Sequence, residues 1–222
     1  MDAVLLQRLS QITEEERELL QGRGVDRALY ASGRAFEVDA AKMLEKGKLM
    51  SIRPHTRFAP FPRHSHNYVE IMYMCRGKTV HRIDGDALVT LEAGELLFLN
   101  RHASHAIQRA DAGDIAVNFI VLPQFFDEAF NMAGMDNVLS RFLLGELYTG
   151  GAAVSYLHFR VREVLPVQNL VENMVWTLVN RQPGARRINQ VTMGLLLLQL
   201  MHYTECIDMS RNGSVRSPMV EA

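Results

Sequence analysis

The segment His64-Ser65-His66-Asn67-Tyr68-Val69-Glu70 carries side chains well suited to chemistry. Successive residues of a strand alternate between its two faces, so residues of equal parity project together. If one strand runs unbroken through this segment, His64, His66 and Glu70 share a face. Two imidazoles and a carboxylate on one face form a donor set that suits divalent Zn, Ni, Fe or Mn. A second strand must supply a fourth donor, and His105 is the candidate. The same four residues can also form a metal-free polar lining held by mutual hydrogen bonds. Metal binding requires neutral imidazoles and an ionised carboxylate, so affinity should fall as pH drops through the histidine range. Tyr68, Met72 and Met74 share parity with Glu70 and form either an adaptable ligand wall or ordinary packing. His81 sits on a neighbouring candidate strand, as a ligand-facing residue or as a partly exposed histidine. Arg53, His55, Arg57 and Arg63 could draw an anion toward the site, but the expectation is a solvated edge.

Elements of period two must position these residues. From about Leu49 to Leu122 short alternating runs are separated by turn residues. Candidate strands are Lys48–Arg53, Val69–Cys75, Thr79–Ile83, Ala87–Leu91, Glu95–Leu99, Ala106–Arg109 and Ile115–Val121. Asp84-Gly85 between two of them is a hairpin signal, and Gly77, Gly94 and Gly113 mark other turns. Many short strands at regular intervals predict an antiparallel sandwich or barrel.

The flanks read as helical. Thr13 and Glu16 have the capping-box spacing, Gly22 and Gly24 supply a stop, and a further helix is expected from about Ala35 to Lys46. After Pro123 the helical period returns. Val164, Val167, Leu170, Val171, Met174, Val175 and Leu178 share one face of a long helix, broken at Gln182-Pro183-Gly184. Ile188, Val191, Leu195, Leu198 and His202 continue on a second, giving an αα-hairpin. Leu195–Leu198 are four consecutive leucines that surround that helix almost completely, so one flank is expected to meet a second copy of the chain. The expected division is a helical segment 1–48, a barrel 49–123, a helical region with a dimerisation hairpin 124–208, and a disordered tail 209–222.

Composition narrows the function. The net charge of −1 offers no global basic field, which argues against a chain that binds nucleic acid by charge alone. The two cysteines, Cys75 and Cys206, match no metal spacing and read as free thiols in a reducing compartment. No basic n-region and no membrane-length apolar run is seen, so a cytoplasmic protein is expected.

The spacing of His64, His66, Glu70 and Gly77 resembles the first motif of cupins, with Phe58 where that motif carries a glycine. Gly94 and His105 match the second motif, while Asn100, His102 and Arg109 replace its proline, glycine and asparagine. Tyr68-Val69-Glu70-Ile71, Tyr73, Ile83-Asp84-Gly85 and His105 further resemble the N-terminal sensor domain of AraC-type transcription regulators. This resemblance implies a mainly β fold with α: a cupin double-stranded β-helix (jelly-roll) barrel, N-terminal helices and a C-terminal antiparallel helical hairpin. It implies a divalent metal at His64, His66, Glu70 and His105, and a small-molecule effector, sugar-like in character, against Tyr68, Met72, Met74 and His81. The expected function is effector sensing and homodimerisation without catalysis, with DNA reached only through a module missing from this chain. The alternative is a metal-dependent cupin enzyme, a dioxygenase or isomerase.

Overall fold

The computed structural model describes residues 1–33, 35–149 and 152–209. Its strands are β1 (Glu37–Val38), β2 (Met50–Pro54), β3 (Phe61–His66), β4 (Val69–Arg76), β5 (Lys78–Ile83), β6 (Ala87–Glu92), β7 (Leu96–Leu99), β8 (Ser104–Ile107), β9 (Ile115–Val121), β10 (Tyr148–Thr149), β11 (Ala152–Ala153), β12 (Tyr156–Phe159) and β13 (Ile207–Met209). Its α-helices are α1 (Ala3–Leu9), α2 (Glu14–Leu20), α3 (Ala40–Met43), α4 (Asp127–Ala133), α5 (Val138–Leu144), α6 (Leu165–Val179) and α7 (Ala185–Met201).

Two sheets enclose the barrel. One runs β1-β3-β8-β5-β6, the other β13-β12-β7-β4-β9-β2. All their pairings are antiparallel except β1 with β3. The fold is therefore the expected jelly-roll barrel with flanking helices. Strand β4 shows why the barrel assembles here. Val69, Ile71 and Tyr73 belong to an apolar cluster with Val167, Val171 and Val175 of α6 and Leu197 of α7. Met72 and Met74 belong to a second cluster with Ile83, Leu91, Leu97 and Leu99, inside the barrel. With both faces covered, β4 is apolar on both sides from Ile71 to Met74 rather than alternating, and Glu70 is the buried polar residue within it.

The flanks follow the sequence in part. Thr13 and Glu16 form the expected capping box at α2. The helix expected over 35–46 is not formed. Instead Val38 pairs in parallel with His66, and only α3 is helical, with Asp39 Oδ1 accepting from Ala41 N at 2.9 Å. Pairing with the barrel edge outweighs helical propensity in so short a segment.

The region expected to be helical, 124–208, also contributes strands. All four residues of β12 are buried, and it pairs with β7 to extend the larger sheet. A buried run of four lacks the alternation that would mark it as a strand. The hairpin α6–α7 forms, and the face of α7 that packs inward differs from the stripe of Ile188, Val191 and Leu195. Met193, Leu196, Leu197 and Leu200 are buried, whereas Ile188, Val191 and Leu195 are exposed. Of the expected tail 209–222, Met209 lies in β13 and the rest lies outside the described residues.

Candidate metal and ligand centre

His64, His66 and Glu70 converge, but not by parity along one strand. Strand β3 ends at His66, β4 begins at Val69, and the two lie in different sheets. Asn67 holds the corner between them: its Oδ1 accepts from Ala40 N at 2.8 Å and its Nδ2 donates to Asp39 Oδ1 at 3.0 Å. The two histidines therefore approach from one sheet and Glu70 from the other. His105 is the direct cross-strand partner of His64.

The turn before His105 departs from the cupin motif and is rebuilt by side-chain bonds. Asn100 is buried; its Nδ2 donates to Val154 O at 2.8 Å, and its Oδ1 accepts from His102 N at 3.0 Å. Asp84 Oδ1 accepts from Ser104 N at 2.9 Å. These bonds hold β8 in register, so His105 points inward without the proline and glycine. Gly94 retains its role: its φ is +85°, and an added Cβ would lie 2.7 Å from Arg162 Cβ. Phe58, in the motif's glycine position, has φ +72°, the left-handed region that costs a side-chain-bearing residue about 1–2 kcal/mol.

At the centre, His66 Nε2 and His105 Nε2 are 3.4 Å apart, and Glu70 Oε2 lies 3.4 Å from the first and 3.5 Å from the second. A tetrahedral ion with bonds of about 2.0–2.1 Å spaces its ligands by about 3.3–3.4 Å. The triangle thus has the edges such an ion needs. His64, His66 and His105 also offer ring nitrogens within 4.8 Å of one another. His64 Nδ1 lies 2.9 Å from Pro62 O. A carbonyl can only accept, so this bond leaves Nε2 with its lone pair. Asn118 Nδ2 donates to Glu70 Oε1 at 3.0 Å, leaving Glu70 Oε2 buried without a hydrogen-bond partner. An amide bonded to one carboxylate oxygen fixes the orientation of the other, which could then ligate an ion.

The electrostatics point the same way. Burial holds His64 at about 4 and keeps His66, His81 and His105 well below the usual histidine range, so the rings are neutral near pH 7. Burial pushes Glu70 up to about 7, against the lowering effect of its bond from Asn118. Neutral imidazoles are the donor state that a divalent cation requires, and Glu70 binds one by giving up its proton. These residues therefore fit a metal.

A cavity of about 40 Å³ adjoins the centre and is lined by His64, His66, Tyr68, Glu70 and Asn118, together with Tyr30, Met43 and Arg53. Of the expected ligand residues, only Tyr68 lines it. Met72 and Met74 lie in the barrel's apolar interior. His81 is fully buried rather than exposed, stacked on His105 at 5.7 Å with its Nε2 2.8 Å from Thr79 Oγ1. The solvated edge expected around residues 53–63 holds only for Arg63. His55 is buried, Arg57 forms a buried ion pair with Glu16, and Arg53 lies over the Tyr30 ring and pairs with Glu15. Asn118 went unnoticed in the sequence, although an amide inside the apolar run Ile115–Val121 is itself a signal, since buried polar groups need a partner.

Residues 51–130 match the family model of the AraC-like ligand binding domain. No match is found among curated proteins by sequence. Apo ToxT K231A from Vibrio cholerae strain SCE256 has a similar structure, with a TM-score of 0.54 at 11% identity over 76% of this chain. The chain spans 62% of that protein's length. Shorter overlaps occur with a cupin protein from Bacteroides fragilis, at TM-score 0.28 and 28% identity over 33% of this chain and 64% of that one. Another is the DMSP lyase DddQ from Ruegeria pomeroyi DSS-3, at TM-score 0.28 and 20% identity over 32% of this chain and 36% of that one. Residues 51–130, which hold most of the jelly-roll barrel, thus resemble the AraC-like ligand binding domain.

Proposed function

We propose that this chain is the effector-sensing and dimerising part of an AraC-type transcription regulator, with a divalent transition metal held by His66, His105, Glu70 and His64. The observation that carries this reading is the closed triangle of His66 Nε2, His105 Nε2 and Glu70 Oε2 inside a barrel of the AraC-like ligand-binding type. His66, His105 and Glu70 would form the inner donors, with His64 at the rim. A bound cation would supply positive charge and a coordination point for an oxygen-bearing effector. Asn118 orients Glu70, and burial keeps the three rings in their neutral, donating form.

A cavity of about 40 Å³ suits an ion with water, whereas small-molecule pockets run from about 300 Å³. A sugar-like effector must therefore displace a wall. Tyr30 and Met43, from the segment preceding the barrel, line the cavity and would have to give way. Effector binding would shift that segment and bias a DNA-binding module not among the described residues. Dimerisation is supported by the exposed apolar residues Ile188, Val191 and Leu195 on α7 and Trp176 on α6. Among the described residues no helix is long and apolar enough to cross a membrane.

Metal analysis after growth with Zn, Ni, Fe and Mn, with thermal shifts on adding each ion to chelated protein, tests the centre. Stoichiometric uptake that vanishes in His66→Ala supports it, and no uptake of any ion leaves only a polar lining. Light-scattering mass of the chain and of Leu195→Glu tests the dimer; a monomer in both rejects it. A metal-dependent cupin enzyme is the second reading, favoured by Tyr68 lining the cavity beside Glu70. Turnover of an oxidisable or isomerisable substrate by metal-loaded protein, lost on metal removal, would replace the sensor reading with that one.

A further inference from the structure

Two side chains outside the donor set line the cavity beside it, and both have hydrogen-bonding capacity to spare. Tyr68 is 2% exposed, yet its hydroxyl makes no hydrogen bond among the described residues. A buried tyrosine hydroxyl ordinarily finds a partner, and an occupant of the cavity would supply one. The Tyr68 ring stands 5.0 Å from that of His66, which lines the same space.

Arg53 brings a guanidinium to this cavity. Its Nη2 donates to Glu15 Oε2 at 2.9 Å and to the Tyr30 hydroxyl oxygen at 3.1 Å. Among the described residues its Nη1 reaches Met43 Sδ alone, at 3.3 Å, and its Nε has no acceptor. A thioether is a weak acceptor, so two of the three nitrogens keep donors for a ligand.

Charge and size give the class of that ligand. Ligating imidazoles are neutral, and a ligating carboxylate carries one negative charge. A divalent ion on His66, His105 and Glu70 therefore keeps one net positive charge, and the Arg53–Glu15 pair adds none. A buried charge without a counter-charge is costly, so the centre favours a monoanion over a neutral molecule or a dianion. One water position takes about 10–15 Å³ of a cavity, so about 40 Å³ holds roughly three of them. That matches the heavy atoms of a carboxylate group and is far short of a sugar ring.

We infer that the effector of the barrel centre is a small monocarboxylate. It lies between the cation and Arg53, whose Nε and Nη1 donate to it, and the Tyr68 hydroxyl donates to the same group. This rests on the metal centre proposed above and gives its effector a chemical class.

Cobalt(II) added to the chelated full chain tests the inference, because its visible spectrum reports its ligands. No cobalt uptake would reject the metal centre and the inference together. With cobalt bound, acetate should shift the spectrum at a concentration at least about tenfold lower than acetamide, which has the same shape and no charge. An equal response to both, or none to acetate, would overturn the inference and leave the metal centre standing. Tyr68→Phe removes the hydroxyl and keeps the ring, and Arg53→Gln removes the charge. Each should weaken acetate about tenfold, as expected for a lost charge-assisted bond, and change cobalt affinity by no more than about twofold. Tyr68→Phe carries the test alone if circular dichroism shows Arg53→Gln unfolded. Acetate affinity unmoved in folded, cobalt-loaded Tyr68→Phe would also overturn the inference.

Discussion

Glu70→Gln should make the metal-free protein more stable at pH 8. Burial raises the Glu70 carboxyl from 4.5 to about 7 in the folded chain. A carboxyl raised on folding is stabilised in its protonated form, so its penalty begins above the unfolded value, grows until about pH 7 and is then constant. Each pKa unit is about 1.36 kcal/mol, which makes the full penalty about 3 kcal/mol. Glutamine keeps an oxygen that can accept from Asn118 Nδ2, and its amide can donate to a neutral imidazole of His66 or His105. Urea unfolding of chelated protein at pH 5 and pH 8 reads the effect. The variant should nearly match the parent at pH 5 and exceed it by about 3 kcal/mol at pH 8, or by about 6–12 °C in melting temperature for a chain of this size. The neutral histidines lose stability in the opposite direction, as pH falls from 6.5 toward about 4 for His64, and they cancel in the difference between the two proteins. Zinc should then stabilise the parent far more than the variant. A chelated variant no more stable than its parent at pH 8 would refute this account of Glu70.

Asn118→Leu removes the amide that orients Glu70, and metal affinity measured by competition with a chromophoric chelator should fall about 10–100-fold. Glu16→Ala leaves Arg57 charged at 3% exposure, and equilibrium unfolding should show a loss of about 3–5 kcal/mol. Burial pushes the Glu16 carboxyl up, but Arg57 and the Thr13 N–H outweigh it and hold the group below its ordinary value. The pair's contribution is therefore present above the ordinary carboxyl value of 4.5 and lost as pH falls below it, which an acid titration of parent against variant should show. Phe58→Gly should be about 1 kcal/mol more stable than Phe58→Ala by the same measurement, because the φ of +72° favours glycine once both side chains are gone.

Much of this protein was legible in its residues. Period-two runs and glycine turns between Leu49 and Leu122 marked the barrel, because a residue's place on a half-buried strand depends on its own parity. The spacing of His64, His66, Glu70 and His105 marked the centre, and the Thr13–Glu16 capping box is local enough to be read directly. What failed depended on partners distant in the chain. Residues 37–38 became strand only because β3 offers an edge, and β12 only because β7 does. The exposed face of α7 could not be told from its buried face, since four consecutive leucines look alike from every side. The histidines and Glu70 meet across the two sheets rather than along one strand, a consequence of the corner that Asn67 ties to Asp39 and Ala40. Whether His55, His81 and Arg57 would be solvated or sealed was likewise settled by what covers them. Local spacing determines which side chains can share a face; burial, pKa and the size of a cavity are set by everything packed around it.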